Sequence, residues 1–131
     1  MSKDQPLVTV YITNFNYGAF IEEAINSVLN QSYRNIELLI IDDGSSDNSK
    51  TVIDQYASID GVHAIFQINQ GLAKTNNVAL SLAKGSHIVR LDADDRFHNN
   101  AIANLLAGFS STAVAMVFGN FQHVKSKISD T

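Results

Sequence analysis

Short apolar runs alternate with segments of helical period along the whole chain, and few folds accommodate that order. Leu7 to Thr13, Ile36 to Ile41, Val62 to Gln67, His87 to Leu91 and Ala113 to Phe118 read as buried strands, rich in β-branched and aromatic residues. Between the first two, Phe20, Ile21, Ala24, Ile25, Val28 and Leu29 recur at helical spacing, with Glu22, Glu23 and Asn26 on the other face. Gly44-Ser45-Ser46-Asp47 offers a turn and an N-cap to a second helix whose inward face is Val52, Ile53, Tyr56 and Ala57. A third helix leads from Gln70-Gly71 through Leu82 and Ala83 to a Lys84-Gly85 C-cap pair, and Ile102, Leu105, Leu106 and Phe109 mark a fourth. Phe121 to Ile128 alternates weakly, as a sixth strand would. Strict alternation without repeat or linker predicts one α/β domain, a Rossmann-like, doubly wound, mostly parallel sheet. Right-handed crossovers and a reversal after the third strand give the order 3-2-1-4 for its first half.

Bulk properties narrow the function classes. The chain has 131 residues, 45% hydrophobic and 17% charged, enough for one globular domain with a core. Its net charge is −4 and its bases are scattered, which excludes the basic stripe of a nucleic-acid binder. With no cysteine there is neither a disulfide framework nor thiolate chemistry, and a reducing cytoplasm is the expected compartment. The N-terminus has no apolar signal core and no run approaches transmembrane length; peripheral membrane association of a full-length form is compatible with this chain.

Five of the 13 acids close two of the apolar runs: Asp42-Asp43 after the second strand and Asp92-Ala93-Asp94-Asp95 after the fourth. In the 3-2-1-4 order the loops after Thr13, Ile41 and Leu91 share one rim, where α/β sheets meet ligands. Acids gathered there repel one another unless a cation or hydrogen-bond donors hold them. Asp92, Asp94 and Asp95 suit Mg²⁺ or Mn²⁺ bridging to a diphosphate; the competing reading makes Asp94 or Asp95 the cap of the following helix. Asp42 and Asp43 read either as an Asx turn or as acceptors for a base or ribose hydroxyl. Phe15 is a staple for the helix that follows or a platform for a flat ring. Lys74, near the start of the third helix, is a solvated residue or a phosphate contact. No glycine fingerprint follows the first strand, where Thr13 and Asn14 stand instead. The four histidines lack metal-ligand spacing, while Arg90 and Arg96 flank the acidic turn and can balance its charge.

Together these segments resemble the N-terminal half of a family 2 nucleotide-sugar glycosyltransferase of the GT-A fold. The resemblance runs through Val8 to Asn16, Ala24 to Tyr33, Glu37 to Asp47, Asn69 to Leu72 and Arg90 to Asp95, in that order and spacing. It implies that Thr13 and Phe15 flank the nucleobase, Phe15 standing where the family usually has tyrosine. Asp43 would match an acid that hydrogen-bonds uracil, with Asn14 and Asp42 beside it. Asp92 and Asp94 match the D-x-D pair, Asp94 and Asp95 lying nearest the ribose, diphosphate and divalent cation. One departure is Asn76, which stands where the family often has arginine, so that a phosphate contact would pass to Lys74.

The implied reaction is an inverting transfer from a UDP-sugar to a saccharide or lipid-linked acceptor in cell-surface polysaccharide or glycoconjugate synthesis. The general base belongs to a later segment, so it is expected beyond Thr131, with this chain the N-terminal, donor-binding part of a longer catalytic domain. A sheet cut short there would leave an edge or apolar surface that a second copy can pair with. Two other classes compete. A non-enzymatic nucleotide-binding or regulatory module would keep the cleft without transfer. A receiver-like signalling domain also gathers acids and Mg²⁺, but after strands one and three, whereas here they follow strands two and four.

Overall fold

The computed structural model describes residues 5–108 and 115–117. The elements alternate as expected: β1 (Val8–Asn14), α1 (Ile21–Leu29), β2 (Ile36–Asp42), α2 (Ser49–Asp54), β3 (Val62–Phe66), α3 (Leu72–Leu82), β4 (His87–Asp92), α4 (Ala101–Ala107) and β5 (Ala115–Val117). All pairings are parallel and the sheet order is β3-β2-β1-β4-β5, which contains the expected 3-2-1-4. Phe109, the ends of the fifth run and the sixth strand expected over Phe121 to Ile128 lie outside the described residues.

Side-chain alternation along β1 divides the core in two. Val8, Val10 and Ile12 face one way and pack with Ile21, Ala24, Ile25 and Val28 of α1, all 3% exposed or less. Tyr11 faces the other way, with Leu39, Ile41 and Ile88, beneath Ala79 of α3. Parallel strands covered on both faces need near-continuous apolar runs, and that is why Leu38 to Ile41 carries no polar residue. Each such side chain taken from water contributes about 1.5–3 kcal/mol.

Two helix boundaries differ from the sequence expectation. Helix α2 stops at Asp54, so Tyr56 packs on the core from the turn beyond it and Ala57 is exposed. Helix α3 ends at Leu82 with Ala83 already extended (ψ 134°), and Lys84-Gly85 does not cap it. Those two residues turn onto the lower end of the sheet. The Lys84 N–H donates to Glu37 Oε2 at 2.6 Å, the Thr9 hydroxyl donates to the same oxygen at 2.5 Å, and the Gly85 N–H donates to Thr9 Oγ1 at 2.9 Å. A Cβ on Gly85 would lie 2.6 Å from Thr9 N, so glycine is there for close approach rather than for a left-handed cap.

Candidate functional site

The upper ends of the three central strands finish level. Asn14 pairs with Asp42 across β1–β2, and Thr13 pairs with Asp92 across β1–β4. The loops after β1, β2 and β4 therefore emerge together and, with the start of α3, surround a cleft of about 400 Å³. Thr13, Asn14, Phe15, Asp43, Asp92 and Asp94 all line it, so the carboxylates from β2 and β4 face one space.

Asp42 and Asp43 turn to different sides of the rim. Asp42 is the turn residue: its carboxylate accepts from Ser45 N–H (3.0 Å), Ser45 Oγ–H (2.7 Å) and Asn14 Nδ2 (2.7 Å), and it does not line the cleft. Asp43 points to the α3 side. Its Oδ1 accepts from Gln67 Nε2 (2.9 Å) and Gln70 N–H (2.8 Å), and its Oδ2 from Gly71 N–H (3.0 Å) and Asn69 Nδ2 (3.2 Å). Burial by itself pushes the Asp43 carboxyl up, but the bonds from Gln67, Gln70 and Gly71 outweigh it and hold the group below its ordinary range. Asp43 thus ties the segment before α3 to the end of β2. Gly44 makes that approach possible: its φ is +81°, and a Cβ there would meet Asn69 N at 2.7 Å.

The acidic turn after β4 is stabilised from both sides. The Ala93 N–H continues the ladder to Thr13 O, and the Asp95 N–H closes the turn onto Asp92 O. Helix α4 begins only at Ala101, with Asn100 at its N-cap position, so neither Asp94 nor Asp95 caps it. Asp92, Asp94 and Asp95 instead each offer a carboxylate oxygen, all within 4.8 Å of one another. A donor set made only of anionic oxygens fits a hard divalent cation such as Mg²⁺ or Mn²⁺. Arg90 Nε lies 3.4 Å from Asp92 Oδ1. Arg96 turns away to pair with Glu23 of α1.

Of the other sequence candidates, Phe15 is 47% exposed, lies outside the core cluster and lines the cleft. Lys74 is exposed on α3 and does not line the cleft. Asn76 accepts a hydrogen bond from the buried Tyr11 hydroxyl at 2.9 Å. The sequence reading gave no role to Tyr17, Asn69, Gly71, Leu72, Thr75 or Ala93, all of which line the cleft. Asn69 to Leu72 carried a signal as a glycine turn opening a helix. Tyr17 and Thr75 had none, because their proximity depends on tertiary packing.

The family model described as Glycosyl transferase family 2 matches residues 9–131. The chain belongs to that family. An uncharacterized glycosyltransferase of Nostoc sp. is 38% identical over 112 residues, which cover 84% of this chain and 35% of that protein. S. aureus TarS 1-349 in complex with UDP-GlcNAc superimposes with a TM-score of 0.72 at 25% identity, covering 77% of this chain and 30% of that TarS chain. The mannosyltransferase PcManGT from Pyrobaculum calidifontis, in complex with GDP-Man and Mn²⁺, gives a TM-score of 0.66 at 26% identity, over 71% of this chain and 29% of that one. This family 2 chain has the GT-A fold of these neighbours and spans about a third of the length of each of the three.

Proposed function

We propose that this chain is the donor-binding half of an inverting glycosyltransferase that takes a nucleoside-diphospho-sugar, a UDP-sugar in the first instance. One observation carries the reading: Phe15, Asp43, Asp92 and Asp94, from three separate loops, line a single cleft. The neighbours point the same way, since TarS binds UDP-GlcNAc and PcManGT binds GDP-Man with Mn²⁺.

In this reading the base enters between Phe15 and the Asn69–Leu72 segment, where an exposed ring and Leu72 offer flat apolar surface. Asp43 fixes that wall at the base end of the cleft, its carboxylate accepting from Gln67, Asn69, Gln70 and Gly71. Thr13, Asn14 and Asp92 line the middle of the cleft, against the ribose. Asp92, Asp94 and Asp95 would hold the divalent cation, which supplies Lewis-acid stabilisation of the charge that gathers on the departing diphosphate. Lys74 stays outside this set. Attack on the anomeric carbon comes from the face opposite the nucleotide, by a saccharide or lipid-linked hydroxyl whose proton a carboxylate accepts. The setting proposed is cytoplasmic synthesis of a cell-surface polysaccharide or glycoconjugate.

Calorimetry with UDP, with and without Mn²⁺, tests the proposal. Binding should depend on the metal and be lost in Asp94→Ala. Metal-independent binding, or an Asp94→Ala variant as tight as the wild type, overturns it.

A further inference from the structure

Arg90 does not line the cleft, yet it stands on the strand that delivers Asp92 to it. It precedes Asp92 by two residues on β4, so both side chains stand on the same face of the sheet. That is also the face of Tyr11, which pairs with Arg90 across β1–β4 and sits beneath α3. There the Arg90 side chain is 18% exposed and its Nε lies 3.4 Å from Asp92 Oδ1. The Thr13 hydroxyl donates to the same carboxylate oxygen at 3.4 Å. Two donors from two strands thus converge on one edge of Asp92.

The need for such a hold follows from the charges. Three carboxylates with oxygens inside 4.8 Å repel one another, and each would swing away without restraint. Arg96, the other cation flanking the turn, is committed to Glu23 on α1. The Tyr11 hydroxyl, engaged with Asn76, leaves the charge balance of this face unchanged.

We infer that Arg90 is a positioning residue for the donor site: through the Oδ1 edge of Asp92 it sets that carboxylate's orientation and thereby the geometry offered to a divalent cation and a nucleoside diphosphate. This rests on the donor-site reading above and adds to it a residue that touches neither ligand. Partners of this outer kind typically change metal affinity by 10–100-fold.

The test has a sign that distinguishes positioning from plain charge. Removing a cation near a metal site should, by Coulomb's law alone, tighten metal binding. Positioning predicts the opposite. Mn²⁺ alone, and UDP in the presence of Mn²⁺, are titrated by calorimetry into wild type, Arg90→Met and Arg90→Lys, with the thermal midpoint of each. Arg90→Met keeps the apolar stem, so its midpoint should stay near that of the wild type while Mn²⁺ affinity falls at least tenfold. Arg90→Lys should recover part of the loss, and it carries the test if the methionine variant does not fold. Arg90→Met added to Asp92→Asn should cost little beyond Asp92→Asn itself, because Arg90 acts through that carboxylate. Mn²⁺ affinity unchanged or tighter in both Arg90 variants, or losses that simply add, overturns the inference alone. A wild type that binds neither Mn²⁺ nor UDP overturns the donor-site reading together with it.

Discussion

At the scale of single residues, Phe15 and Asp43 do different work in one cleft. Phe15 is half-exposed and outside the core, so Phe15→Ala should leave thermal stability unchanged and weaken UDP binding by about 1 kcal/mol or more. Equal affinity in calorimetry would remove it from the base site. Asp43 is structural as well, and its depressed pKa gives the sign of a pH effect. A carboxyl lowered from its ordinary 3.8 adds stability that is complete above that value and fades as pH falls toward the lower folded value. Urea midpoints should therefore show a wild-type advantage over Asp43→Asn that is full at neutral pH and shrinks below about pH 4. An advantage that is flat with pH would contradict the assignment. Sequence spacing placed both acids of the Asp42-Asp43 pair at the rim but did not tell them apart. Which carboxylate turns to Ser45 and which to Gln70 is decided by the side-chain alternation past the end of β2, and a turn breaks that alternation.

Among the elements, α1 tethers the stretch that leads from the acidic turn to α4. Gln31, 1% exposed just beyond its end, donates to His98 O at 2.7 Å and to Ser27 O at 3.0 Å, and accepts from Ile102 N–H at 3.0 Å. The Ser27 hydroxyl accepts from Phe97 N–H at 3.1 Å, so the stretch between β4 and α4 hangs on this helix. Gln31→Leu leaves the buried Ile102 N–H without its acceptor and should lower unfolding free energy by about 1–3 kcal/mol in urea titrations. A variant as stable as the wild type would show that this tether is dispensable. Gly44→Ala combines a left-handed φ with a 2.7 Å approach to Asn69 N, and it should displace the wall of the cleft and weaken UDP binding. Unaltered affinity would place Asn69 outside the base site. Strand positions were legible because fully covered parallel strands are unbroken apolar runs. The ends of α2 and α3 were not. Tyr56 keeps helical spacing after the helix has stopped, and Lys84-Gly85 imitates a cap while serving the Thr9–Glu37 network.

For the molecule as a whole, strand order decides everything that follows, and its 3-2-1-4 part was readable from alternation, crossover handedness and a reversal after the third strand. It puts β1 between β2 and β4, which brings Asp43 and Asp94 to one cleft although they are far apart in sequence. What the pattern did not show was the opposite wall, since Leu72 and Thr75 reach the cleft only through the docking of α3. In the proposed function this cleft receives a nucleoside diphosphate lengthwise, with its base at one end and its metal-bound phosphates at the other. A crystal structure of the chain with UDP and Mn²⁺ tests it most directly. Uracil is expected between Phe15 and the Asn69–Leu72 segment, with Mn²⁺ on oxygens of Asp92, Asp94 and Asp95 beside the diphosphate. UDP bound elsewhere on the surface, or bound here with its phosphates away from Asp94, would contradict it.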